Sequence, residues 1–200
     1  WMLNVTHRGD DVVERWPALS AAELQVLADR AEGWLQHSFT HLAFNQSFPE
    51  IHWANAQRTV PATFDDVGDT AAWTGQLLAA YVHAYARSGS THVLAAAEAL
   101  IRGFDFSTRC MDGDAYVPRT WADPSGDAAQ WAAWRGYFAP PGTPIPAHKV
   151  FNCTAVGSEH VLWQGDSSRD TYIGVVFGLG SALSALDGRA AAAPLRALAL

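Results

Sequence analysis

Gly165-Asp166-Ser167-Ser168-Arg169-Asp170-Thr171-Tyr172-Ile173-Gly174 is the stretch whose reading decides the fold. It sets carboxylates, hydroxyls, a guanidinium and a phenol directly before an uncharged apolar run, Val175-Val176-Phe177-Gly178-Leu179-Gly180-Ser181-Ala182-Leu183. Apolar positions cover nearly the whole circumference from about 170 to 186, which predicts a helix buried on most sides with a polar mouth. Gly68-Asp69-Thr70-Ala71-Ala72-Trp73-Thr74-Gly75 has the same order. It opens a second helix of that kind, running to about Arg87 with Trp73, Leu77, Leu78, Tyr81, Val82 and Tyr85.

The segments after the two buried helices are also alike. Ser88-Gly89-Ser90 is a tight stop with glycine suited to a left-handed cap. The next helix, about 91–104, carries one apolar stripe of Val93, Leu94, Ala97, Leu100, Ile101 and Phe104. Asp187-Gly188-Arg189 closes the later helix, and a further one begins after Ala190 with Pro194 in its first turn. Long loop, polar N-terminus, buried helix, glycine turn and amphipathic helix form a twice-used pattern.

Upstream, Ser20-Ala21-Ala22-Glu23 is a capping box ahead of the stripe Leu24, Leu27, Ala28, Ala31, Trp34 and Leu35. His37 and His41 share a helical face, and hydrogen-bonded imidazoles are the better reading of that pair than metal ligands. Residues 42–67 hold Pro49 and Pro61 and no periodicity, which reads as a long ordered loop. Between 105 and 168, Asp112-Gly113 predicts a small β-hairpin of Ser107–Met111 with Ala115–Arg119, and a short helix is expected around 128–135. Trp121, Trp131, Trp134, Tyr137 and Phe138 in this insertion suggest the wall or lid of a cleft.

Composition narrows the classes of function. The 200 residues are 49% hydrophobic and carry a net charge of -7 with no basic cluster, which argues against a nucleic-acid partner. No apolar run is long enough for a membrane span. Nine Trp exceed ordinary usage, and indoles suit walls that stack on sugar rings as well as they suit a core. Cys110 and Cys153 fit no zinc motif and could form one disulfide. No metal and no cofactor is expected. The ends, Trp1-Met2 and a helical pattern reaching Leu200, read as cuts within a longer protein.

Helices buried all round alternating with helices of one stripe are what an (α/α) toroid requires. The expected fold is therefore all-α: one domain over 1–200, made of helical hairpins of a toroid or barrel, as a partial ring or fragment. Long rim loops and the small β-hairpin complete it. Asp69, Asp166, Arg169, Asp170 and Tyr172 should gather on one rim. On the two glycine-bearing motifs, the chain resembles bacterial members of the six-hairpin glycosidase-like (α/α) barrel proteins. The resemblance covers residues 68–104 and 163 onward. It implies a carbohydrate-active, secreted or periplasmic protein, most simply a glycoside hydrolase. Such folds also host polysaccharide lyases and non-catalytic binding modules.

Asp69 and Asp170 are the candidate catalytic pair, since two carboxylates across a glycosidic bond suffice for hydrolysis. For each taken alone, a helix cap is the better reading. Arg169 opposes a helix dipole, so it either pairs with Asp69 or Asp166 or binds an acidic sugar. Tyr172 and Arg119 would serve a lyase as base and charge neutraliser. Trp73 and Trp121 are candidate aromatic contacts, and His160 and His148 candidate acid/base groups in the aromatic loop. The expected ligand is a glycan or another small polar molecule.

Overall fold

The computed structural model describes residues 20–23, 25, 26, 29, 41–48, 50–109, 116–147, 150–153 and 161–199. The helical residues among 21–29 belong to α1. They are followed by strands β1 (His41–Ala43), β2 (Gln46–Phe48), β3 (Glu50–Trp53) and β4 (Pro61–Asp65). Helices α2 (Thr70–Ser88) and α3 (Thr91–Arg109) come next, then β5 (Thr120–Ala122) and α4 (Ala128–Phe138). Strands β6 (Val150–Cys153) and β7 (Val161–Gln164) precede α5 (Arg169–Ala185) and α6 (Ala193–Leu198). No helix among the described residues is long and apolar enough to cross a membrane.

The all-α toroid is not what forms. The described residues are largely helical with short antiparallel strands, and the helices among them close no barrel. The strands make two hairpins, β1–β2 and β3–β4, and a three-stranded sheet ordered β5–β7–β6. Four of them fall in the stretch read as one long loop. They are three to five residues long: in Gln46-Ser47-Phe48 all three side chains are buried, and the alternation of Glu50-Ile51-His52-Trp53 spans only four residues. The first arm of the expected hairpin, Ser107–Met111, is helical as far as Arg109 because α3 runs on past Phe104. Its turn at Asp112-Gly113, His37, Cys110, Pro49 and His148 lie outside the described residues.

The helical framework keeps the order of the twofold pattern but not its burial: α5 leaves Ile173, Val176 and Phe177 exposed, and α6 has six residues against the nineteen of α3. At the capping box, Ser20 N–H donates to Glu23 Oε2 at 2.8 Å and Glu23 N–H donates back to Ser20 Oγ at 3.3 Å. The backbone bond from Ser20, then its hydroxyl, holds the Glu23 carboxyl below its ordinary value of 4.5. α2 ends on Gly89 at φ 66°, whose N–H returns to Tyr85 O at 2.8 Å, and α3 folds back from there. Its stripe delivers Ala97, Leu100, Ile101 and Phe104 to the main core with Leu78, Val82, Trp121 and Leu186.

α2 and α5 lie side by side and parallel. A Cβ on Gly75 would stand 2.0 Å from Gly174 O, one on Gly174 2.5 Å from Ala72 Cα, and one on Gly178 2.4 Å from Gly75 O. Contacts therefore advance together along both helices. At their far ends the Arg189 guanidinium donates to Ala86 O at 2.6 Å and lies over the Tyr85 ring. Two backbones this close leave no room for any side chain, which is why three glycines occupy the seam.

The strands are fixed to this pair by buried polar groups. Gln46 is fully buried. Its Oε1 accepts from Thr120 Oγ1 at 2.9 Å and its Nε2 donates to Trp121 O. Ser47 N–H donates to Thr74 Oγ1 at 2.9 Å, which ties β2 to α2. The β1–β2 turn, Phe44-Asn45, has φ near 54° and 55° and the two-residue form that matches strand twist. It sits against α3 where Gly103 admits it: a Cβ there would meet Asn45 O at 2.0 Å.

Gly75→Ala should cost about 3 kcal/mol or more, because the new methyl meets backbone rather than a movable side chain. Gly136→Ala, in α4 with nothing within 4 Å of its Cβ, should be neutral or stabilise by about 0.5–1 kcal/mol. Paired urea melts of the two variants check the contrast.

Candidate functional site

Where α2 and α5 begin, the loops before them meet. Asp66 and Asp166 both take the left-handed backbone conformation, with φ 53° and 61°. Aspartate tolerates this better than most residues. Asp66 turns the chain into a single 3₁₀ turn, Val67–Asp69, that runs into α2. Trp73 and Tyr172 then occupy the same place, the fourth residue of their helices.

Arg119 joins the two loops. Its Nε donates to Gly68 O, its Nη2 to Asp69 Oδ1 at 3.0 Å and its Nη1 to Asp166 O at 3.4 Å. Gly68 leaves room for it, since a Cβ there would stand 3.3 Å from Nη2. The Arg119 backbone takes part too: its N–H donates to Gln164 O at 2.9 Å, and its carbonyl accepts from Ala71 N–H at 2.8 Å. One residue thus links the three-stranded sheet, the first turn of α2 and the loop before α5. Beside it, Ser167 N–H donates to Tyr116 Oη at 3.2 Å and Val117 N–H to Tyr172 Oη at 3.4 Å.

Neither aspartate of the expected catalytic pair caps a helix with its side chain. Asp69 stands at the N-cap of α2 without a side-chain cap bond, because its carboxylate is turned to Arg119. The N-cap of α5 is Ser168, which accepts from Thr171 N–H at 3.2 Å. Asp170 lies two residues further on with its side chain 79% exposed, and its Oδ1 is 4.0 Å from Arg169 Nε. Arg169, 89% exposed, pairs with this neighbour and not with Asp69 or Asp166. At the rim Arg119 holds Asp69, while Trp73 bonds to Asp66 and Tyr172 to Val117. Arg169 and Asp170 stand out in water.

The aromatic residues divide differently from the expected wall. Trp121 is fully buried, its Nε1 donating to Phe44 O at 2.9 Å, and so presents no surface to a ligand. Trp134 is fully buried in a second core with Phe48, Phe64, Val67 and Ala133, and stacks on Trp131 at 5.5 Å. Phe48 and Phe64 stack at 4.1 Å in the same core. Tyr137 stays open on α4, where its ring meets the edge of Phe138. At the rim the open ring is Trp73, 41% exposed, with Nε1 donating to Asp66 Oδ2 at 3.3 Å. His160 lies outside the described residues, as does the Cys110 end of the expected disulfide.

Two further features went unread in the sequence. Glu50, His52 and Asp65 on the β3–β4 hairpin bring their ligand atoms within 4.8 Å of one another, a donor set able to hold a divalent cation. Glu50 pairs directly across from Asp65, and His52 Nε2 lies 2.8 Å from Asp65 Oδ2, so the group also satisfies itself. The spacing Glu-x-His is informative only once the stretch is known to be a strand. An open groove of about 530 Å³ also runs between α2 and α5, bordered by Gln76, Ala80, His83, Ile173 and Phe177.

No family model, curated protein or solved structure matches this chain.

Arg119→Ala removes one charged donor from three acceptors and should destabilise the fold by about 2–3 kcal/mol. Asp69→Asn should cost less, about 1 kcal/mol or under, because its carboxylate is partly in water. Equal losses for the two variants in urea melts would assign the joint to the ion pair rather than to the backbone contacts of Arg119.

Proposed function

We propose that the chain is a carbohydrate-handling protein that holds a glycan at the rim where α2 and α5 begin, and that it binds rather than cleaves. Trp73 carries this reading. Its indole N–H is held by Asp66 while 41% of the residue stays open to solvent. A ring held at its N–H and partly open to solvent suits the apolar C–H face of a sugar. Arg169 and Asp170 on the same rim are exposed and offer donors and acceptors to hydroxyl groups.

Cleavage needs two carboxylates free to act across one bond. The Asp69 carboxylate is engaged by Arg119, and Asp170 stands in solvent, which favours binding over turnover. A lyase is disfavoured on similar grounds, since Arg119 is committed to three acceptors and Tyr172 Oη accepts from Val117. Glycoside hydrolysis by Asp69 and Asp170 remains the second reading. One observation favours it: both residues start parallel, adjacent helices at the same end.

Affinity electrophoresis in gels containing soluble xylan, β-glucan, mannan or polygalacturonate tests the proposal. The chain should be retarded by at least one of them. Trp73→Ala should weaken that binding by about tenfold, the equivalent of one stacking contact, with an unchanged melting temperature. No retardation in any gel, or equal retardation of the variant, overturns the reading. Release of reducing ends that is lost in both Asp69→Asn and Asp170→Asn would make hydrolysis the function instead.

A further inference from the structure

α5 is apolar on the side that faces away from α2. Ile173, Val176 and Phe177 are 58%, 68% and 55% exposed, and nothing lies within 4 Å of a Cβ placed on Gly180. No charged residue interrupts the helix between Asp170 and Asp187. Arg169, Ile173, Val176, Gly180, Leu183 and Asp187 follow one another at alternating steps of four and three, the spacing of a helix–helix seam.

We propose that this seam pairs with itself: α5 of one copy packs antiparallel on α5 of a second copy about a twofold axis at the level of position 178. Three features on one face agree on that register. Val176 of each copy falls over Gly180 of the other, a protruding side chain meeting an open notch. Ile173 meets Leu183, which is half-buried against its own core and adds the remainder of its side chain to the seam. Arg169, whose side chain is 89% exposed, meets Asp187, which is 73% exposed in the turn that closes the helix. An isologous pairing requires such self-complementarity, a large residue opposite a small one and a cation opposite an anion. Phe177 lies at the edge of the seam beside the open groove that runs between α5 and α2, so the apolar surface continues past the helix itself. Asp187 already leans on Arg196 of its own chain at 3.4 Å, and its remaining oxygen is available to take the second cation.

Sedimentation velocity of the whole chain, at concentrations up to about 100 μM so that a micromolar association is visible, gives the test. Wild type should sediment as a dimer. Val176→Glu, at an exposed position, should be monomeric with its circular dichroism and melting temperature intact. Arg169→Glu and Asp187→Arg should each weaken the dimer by at least about tenfold through like-charge contact. The double variant should restore it, because the reversed pair is again complementary. A monomeric wild type overturns the proposal. So does a Val176→Glu variant that dimerises like wild type, or a double variant no better than the single ones.

Discussion

The contact on which the structure depends is the approach of two parallel helices with no side chains between them. Gly75, Gly174 and Gly178 bring the α2 and α5 backbones together along a single line. That contact fixes the spacing of the two N-termini. It thereby determines which loop atoms can be reached by one guanidinium at the rim. It also fixes the C-terminal ends, where Arg189 can span to Ala86 O. Close packing of this sort gains dispersion from backbone atoms but tolerates no added volume.

The strands serve that pair rather than forming a sheet domain of their own. Each is too short to be stable alone. They are held by side-chain bonds outside the ladders: Gln46 to β5, Thr74 of α2 to β2, Trp121 to the Phe44 turn. Buried polar groups of this kind rigidify a fold when fully satisfied. Here they set the position of Arg119 just ahead of β5, and through it the geometry of the rim.

The helices were legible because their signals are local. Glycine at 89, proline at 194 and the apolar stripe of α3 each act within a turn or two of chain. The strands were not, because Gln46 and Ser47 look like loop residues until the partners that bury them are known. The same limit governs the rim. Asp69 and Asp166 could be placed there from their position before helices. Arg119, fifty residues away from Asp69, reveals its role only in three dimensions. The expectation of a ring failed for a related reason. A helix apolar all round states that a face disfavours water, and not which element covers it; Val176 and Phe177 are uncovered by any described part of the chain.

The α2–α5 seam has a consequence for how the chain reaches its folded state. α2 and α3 are joined by a two-residue turn, so their hairpin can close early. Gly75 and Gly174 are separated by almost half of the sequence, and their meeting requires the entire intervening segment to be gathered first. A core assembled around so distant a pairing folds more slowly than one built of neighbouring helices. Until it forms, the uncharged surface of α5 has no partner from α2. The glycines that let the two backbones touch therefore also defer the moment at which this uncharged helix is sheltered on its α2 side.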